Sequence, residues 1–366
     1  MTLIKNLPSY TMTPIAEPST PSSQGFFMPA EWEKHSSTWL AWPINVDTWK
    51  PNDLRELENV YIEIIHCLVT GERINILIEN QSSQNRVTSL LDASGLDTKK
   101  IYFHEILTND AWIRDFGPNF IVRESSAGRQ IAINRWQFNS WGEKYAWKKD
   151  NAAGEKIIRE SKLTWFDPNI VLEGGAIDVN GRGICLTTST CLLNTNRNGG
   201  LSSEQMEKYL KSYLGIKKII WLDGALEGDD TDGHIDNLAR FVNPSTIVYV
   251  SEEDENDENY LNLKRIEETL KKARDLDGKP FEVIPLPMPR AIKENNFRLP
   301  ASYANFYIGN NVVLVPAFND SNDVITQKIL KKYFPQKKIV PIDSRIIIKG
   351  QGGIHCITQQ QPMHSD

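Results

Sequence analysis

Four residues able to do covalent or proton-transfer chemistry stand in glycine-bearing turns of this 366-residue chain: Asp115 in WIRDFGP, Glu173 in VLEGG, His234 in GDDTDGHID and Cys356 in GGIHC. A cysteine is nucleophilic only as thiolate, and with an ordinary pKa of ~8.5 it is mostly protonated at neutral pH. Cys356 therefore needs a group to take its proton, and histidine is the usual acceptor and later donor. His234 is preferred over the adjacent His355, because neighbours on an extended strand point to opposite faces; His355 then reads as a packed, hydrogen-bonded core histidine. Each of the others also has a plain structural reading. Cys356 could be a buried inert thiol, Arg114 and Asp115 with Gly117 and Pro118 an ordinary turn with a surface ion pair, and Glu173 a solvated hairpin residue.

The acids Asp229, Asp230, Asp232 and Asp236 around His234 admit three readings. A calcium loop is disfavoured, since the Gly comes too soon after the Asp series and the terminal bidentate Glu is missing. A mere turn needs less acid. A wall of carboxylates that accepts the planar fork of a guanidinium through paired, charge-assisted hydrogen bonds is the third. His234 and Asp236, two apart on an extended segment, can face one side. Carboxylates gathered near a thiol raise one another's pKa and disfavour thiolate, a strain that an incoming cation relieves.

The elements that must position these residues repeat. Helical periodicity is clearest at 52–69, 203–214, 258–274 and 323–333, each ahead of a short β-type run, at 74–79, 217–222, 281–286 and 337–342. The reactive residues follow at nearly even spacing: 173 − 115 = 58, 234 − 173 = 61 and 356 − 234 = 122, twice 61. A silent copy is expected near residue 295, in NNFRLPASYANFYIGN. A fixed period of this length argues for radially arranged supersecondary units. The reading is an α/β chain of about five units closing a ring, whose equivalent loops converge on one axis and whose last unit carries Cys356.

Composition sets bounds. Apolar residues at 40% and charged residues at 24% are ordinary globular values. A net charge of −6 offers no basic footprint for nucleic acid and suits a small cation. No segment approaches the ~20 apolar residues of a membrane span, and the Pro/Ser/Thr-rich N-terminus lacks the apolar core of a secretory signal. Cys67, Cys185, Cys191 and Cys356 are too sparse for a disulfide framework and lack zinc-site spacing, so the cytoplasm is expected, with no metal. The expected organisation is a flexible arm, 1–25, and one domain, 26–366.

EWEKHSSTWLAWP (31–43), NDAWIRDFGP (109–118), VLEGGAIDVNGRG (171–183), TTSTCLLNTNRN (187–198), GDDTDGHIDN (228–237), LPASYANFYI (299–308) and GGIHCITQQQP (352–362) together resemble the agmatine deiminase family of the guanidine-modifying, pentein-fold superfamily. The resemblance implies a five-bladed α/β propeller of ββαβ units around a central site. It implies Cys356 as nucleophile, His234 as general acid/base and Glu173 as a guanidinium-binding carboxylate that assists proton transfer. Asp115, Asp236 and Asp230 would contact substrate, with Trp112 lining the pocket. It further implies hydrolysis of agmatine to N-carbamoylputrescine and ammonia without cofactor, in a homo-oligomer such as a dimer. The QGGIHC glycines and Asp232, where Asn is common, depart from the plant-type pattern and bear on which guanidine is preferred. The rivals are a peptidyl-arginine deiminase, an inactive guanidine- or polyamine-binding module, and a papain-like protease, disfavoured because its Cys comes early in the mature chain.

Overall fold

A computed structural model describes residues 19–364 except 127. Most of the expected arm, residues 1–18, lies outside the described residues. The helices form where periodicity places them. Pro51–Leu68 begins with Pro at its first turn, where a missing N–H costs nothing, and buries Leu57, Val60, Tyr61, Ile64, Ile65 and Leu68 along one stripe. Ser203–Leu214 opens on a reciprocal capping box between Ser202 and Gln205. Tyr260–Lys272 and Asn322–Tyr333 match the other two. Two further helices, Gln81–Ala93 and Lys148–Ser161, were not singled out from the sequence; the first buries only Val87 and Leu91, and the second buries Asp150 among Ala153, Gly154, Ile157 and Ile158.

Among the described residues, five sheets of three or four strands share one connectivity. Asn119–Ser125 pairs antiparallel with Gly128–Asn134, which pairs parallel with Thr164–Phe166 after the helix Lys148–Ser161. The pattern recurs in Ile177–Val179, Ile184–Thr188 and Lys218–Leu222, then in Ala239–Asn243, Thr246–Ser251 and Glu282–Pro287, then in Tyr307–Ile308, Val312–Ala317 and Lys338–Asp343. The fifth sheet joins both ends of the chain. Gln359–Pro362 runs antiparallel to His35–Ala41, which is parallel to Arg73–Ile78 and, through it, to Ile101–Glu105. A small hairpin, Lys293–Glu294 with Phe297–Arg298, stands apart.

The central strands of these sheets are apolar runs such as Val312–Ala317 and Thr246–Ser251, buried almost throughout. That is what a strand covered on both faces requires. Helices pack over the parallel strands, and apolar clusters fill the space between. No helix among the described residues is long and apolar enough to cross a membrane.

Candidate active site

Each reactive residue lies in the link between the last strand of one unit and the first of the next. Asp115 sits in the short helix Ile113–Phe116 ahead of Asn119, and Glu173 caps the turn Gly174–Ala176 ahead of Ile177. His234 and Asp236 belong to the turn Ile235–Asn237 ahead of Ala239, and Cys356 lies in a turn ahead of Gln359. The stretch expected to hold a silent copy near residue 295 contributes Asn305, just ahead of Tyr307, and its Nδ2 lies 3.4 Å from Cys356 Sγ.

These links converge. A Cβ built on Gly175 would fall 2.5 Å from His234 Nδ1, 2.9 Å from Asp115 Oδ1 and 3.0 Å from Asp236 Oδ2, so the second glycine of VLEGG is the point around which three reactive side chains gather. Gly175 N–H donates to Asp115 Oδ1 at 2.9 Å and Trp141 Nε1 donates to Asp115 Oδ2 at 3.0 Å. Cys356 Sγ lies 3.7 Å from Asp236 Oδ2. The GG before the cysteine has the same kind of cause, since a Cβ at Gly352 would meet the Trp112 ring at 2.3 Å and one at Gly353 the Asn305 amide at 2.3 Å.

The expected extended geometry does not hold in two places. The turn at Ile235–Asn237 replaces an extended segment, and His234 and Asp236 converge because the chain coils there. Residues 354–357 form a turn rather than a strand, so His355 is not directed away from the nucleophile's surroundings. It is buried and hydrogen-bonded, as a core histidine would be, but its partner is Asp236, with Nδ1 2.7 Å from Oδ2.

Burial sets the electrostatics, and charge partners decide the sign. Burial first, then the carboxylates of Asp236 and Asp115, push the Cys356 thiol well above its ordinary value; the Gly353 N–H and Asn305 offset part of this. Burial also lifts Asp115 to about 6, with Asp236 and Glu173 adding to the rise and His234 opposing it. For His234 burial alone would depress the imidazole, but Asp115, Cys191 and Glu173 around it raise it well above its usual range. Asp236 is held below the usual carboxylate range: burial opposes this, and His355, His234 and Arg240 outweigh it.

Arg197 organises the floor. Its Nε donates to Glu173 Oε1 at 2.7 Å, its Nη2 to the Thr231 carbonyl at 2.7 Å, and its Nη1 to the Trp141 carbonyl at 3.0 Å and to Asp232. One guanidinium thus ties together two links and the loop that carries Trp141. It also answers the charge of Asp232, a residue at φ 65 where Asn is the easier occupant. Glu173 Oε2, Asp236 Oδ1 and both ring nitrogens of His234 are buried without a hydrogen-bond partner, an arrangement that costs free energy unless a ligand completes it. Glu173, Cys191 and His234 could bring ligand atoms within 4.8 Å of one another around a metal ion. Arg197, with Nη2 3.8 Å from Cys191 Sγ, already supplies a cation there.

The Porphyromonas-type peptidyl-arginine deiminase family matches residues 27–362. The chain belongs to that family. It is 37% identical to the agmatine deiminase of Medicago truncatula, over 94% of this chain and 98% of the relative. A structure of a Cys-to-Ser agmatine deiminase of C. jejuni with substrate bound aligns with TM-score 0.84 at 36% identity, covering 93% of this chain and 97% of that one. An agmatine deiminase of Enterococcus faecalis aligns with TM-score 0.86 at 31% identity, covering 94% and 98%.

In this deiminase-family chain a cavity of about 410 Å³ opens above the convergence point. Cys356 and Asp115 lie at its base, Trp112 and Trp141 beside them, and Asp230 on the wall with Asp47, Asp110 and Asp150. Trp112 is clamped against Trp49 with ring centroids 5.2 Å apart. Asp230 accepts from Tyr145 Oη and pairs with Lys144 at 3.4 Å. Glu173, His234 and Asp236 form the layer beneath, each 0% exposed. Sequence reasoning missed Arg197, Cys191, Asn305 and Trp141. Ser140 and Trp141 both adopt left-handed φ near +55, a strained conformation of the kind that functional loops hold. The usable signal was present: NSWGEKYAW concentrates aromatic residues in a loop, and NRN puts an arginine in a turn otherwise free of charge.

Proposed function

We propose that this protein hydrolyses agmatine to N-carbamoylputrescine and ammonia. The observation that carries the reading is the convergence of His234, Asp115 and Asp236 on Gly175 beside the Cys356 thiol, with unpartnered oxygens of Glu173 and Asp236 in the same buried layer. Two such oxygens answer the paired N–H groups of a planar guanidinium. The relatives named as agmatine deiminases supply the substrate.

The substrate's cation offsets the burial and carboxylates that hold Cys356 protonated, so the thiolate forms as guanidinium binds, its proton passing to solvent because His234 already carries one. Cys356 Sγ attacks the guanidinium carbon and a C–S bond forms, while Glu173, Asp236 and Asp115 hold the planar group in line. His234, an imidazolium at neutral pH by virtue of its acidic neighbours, gives its proton to the departing nitrogen; the C–N bond breaks and ammonia leaves. The neutral imidazole then takes a proton from water attacking the thiouronium carbon. As the adduct collapses the C–S bond breaks, the hydroxyl oxygen becomes the ureido carbonyl, and the proton it gives up returns the thiolate to thiol. Glu173, whose carboxylate lies within 4.8 Å of His234, assists these proton transfers.

Asp230 and Trp112 belong to the wall that receives the aminobutyl chain. The family's own name raises peptidyl-arginine as a second substrate. The acidic wall argues against it, because the ammonium at the far end of agmatine suits Asp47 and Asp230 better than a peptide backbone does. The repeating sheets and the pairing of Gln359–Pro362 with His35–Ala41 support a five-bladed propeller of ββαβ units, residues 26–366 as one domain behind an N-terminal arm. Action in the cytoplasm, which the sparse cysteines suit, completes the reading, with a role in polyamine formation or in breakdown of arginine-derived amines and assembly into a homodimer, both of which rest on the resemblance alone. The test is ammonia and ureido product formation from agmatine, from arginine and from an arginyl peptide. Agmatine should be strongly preferred and Cys356→Ala inactive; unaltered turnover in Cys356→Ala would end the mechanism.

A further inference from the structure

His355, beside the nucleophile in sequence, is 2% exposed and lies between two carboxylates. Its Nδ1 is 2.7 Å from Asp236 Oδ2 and its Nε2 is 2.7 Å from Glu31 Oε2. Glu31 is held from behind: Arg240 Nη2 donates to Oε2 at 2.9 Å and the Ile308 N–H to Oε1 at 2.9 Å. Arg240 is fixed in turn by Asp178 and by the carbonyls of Ala304 and Phe306. The backbone of His355 is pinned on both sides, its N–H donating to Asn305 Oδ1 at 2.9 Å and its carbonyl accepting from Arg114 Nε at 3.2 Å. A histidine that only filled space would not need both ring nitrogens on carboxylate oxygens, each of which accepts.

We propose that His355 is a positioning residue for the reaction: held by Glu31, it fixes Asp236 Oδ2 beside Cys356 and leaves Asp236 Oδ1 for the guanidinium. This rests on the deimination reading above. Asp236 is faced by His355 and Cys356 from the C-terminal turn, by His234 and Asp229 from its own segment, by Arg240 from the strand Ala239–Asn243, and by Arg114 and Asp115 from the short helix. His234 is shared with Asp115 and Glu173, and Arg240 is shared between Glu31 and Asp178. His355 makes the short contact to Asp236, at 2.7 Å against 3.7 Å for Cys356 Sγ. Without it, a carboxylate at 0% exposure next to Asp115 takes up a proton at higher pH, and guanidinium binding weakens on the acid side.

The experiment compares wild type, His355→Gln and His355→Asn in agmatine turnover from pH 5 to 9, with melting curves for each. The Asn amide nitrogen stands where Nδ1 does and keeps a neutral donor on Asp236, whereas Gln reaches toward Glu31 instead. His355→Gln is expected to raise KM on the order of 10- to 100-fold. The acid limb of its kcat/KM should move up by about one pH unit or more. His355→Asn should keep a KM close to wild type above neutrality and still show the shifted limb. A His355→Gln protein that melts lower but keeps the wild-type KM and acid limb overturns the proposal and leaves a core histidine. If His355→Gln does not fold, an unshifted limb in His355→Asn overturns it equally. Wild-type protein that releases no ammonia refutes the deimination reading and this proposal together, while wild-type turnover with unmoved variants refutes the proposal alone.

Discussion

Adding one carbon at Gly175 probes the convergence point directly. The Cβ of Gly175→Ala would stand 2.5 Å from His234 Nδ1, 2.9 Å from Asp115 Oδ1 and 3.0 Å from Asp236 Oδ2, all inside the ~3.5 Å at which non-bonded atoms rest. Its φ lies outside the left-handed region, so the penalty is steric. The three side chains are 0%, 5% and 0% exposed and cannot swing into solvent, so His234 must retreat by on the order of 1 Å. A displacement of that size in a reacting group costs about 10²-fold, equivalent to about 2.7 kcal/mol of transition-state stabilisation. Overpacking adds ~1–3 kcal/mol of lost stability. Gly174→Ala separates the two effects: its Cβ meets the Arg114 carbonyl at 2.2 Å, backbone that cannot turn aside, so stability should suffer first there. The assay is ammonia release against agmatine concentration, beside denaturant unfolding of both variants. A folded Gly175→Ala protein whose kcat/KM stays within about threefold of wild type would refute the claim that these groups meet where the substrate reacts.

Two further outcomes follow from buried acids and the thiol. Asp150, at 3% exposure, accepts from the N–H groups of Asn109 and Asp110, and burial with Asp110 nearby pushes it up to about 8. The folded state keeps this proton after the unfolded chain has lost it, so stability relative to Asp150→Asn should fall progressively from about pH 4 to pH 8 and level off above; melting curves of the pair across pH 4 to 9 check it, and parallel curves would contradict it. Cys356 should alkylate slowly at neutral pH and faster with a small unreactive guanidine bound, read by mass spectrometry in a Cys67→Ser background; a slower rate with the guanidine would count against cation-assisted thiolate formation.

The period that links Asp115, Glu173, His234 and Cys356 was legible because each unit spends the same length of chain on a hairpin, a helix and a parallel strand, and periodicity is a local property. The four long amphipathic helices and the strands after them were legible for the same reason. What the links do inside the site was not. Two stretches read as extended are turns, and only the coiling at Ile235–Asn237 and at 354–357 turns His234, Asp236 and His355 toward one another. Arg197 and Cys191 carry no spacing signal, and Asn305 stands ten residues past the position the period expects, in the stretch expected to be silent. The amino-acid order thus determined the alternation, the register of the reactive turns and the kind of chemistry they could do. Tertiary structure alone decided which acids stay charged, because burial and the partners that offset it come mostly from other units of the chain, as when His355 meets Asp236 and Glu31.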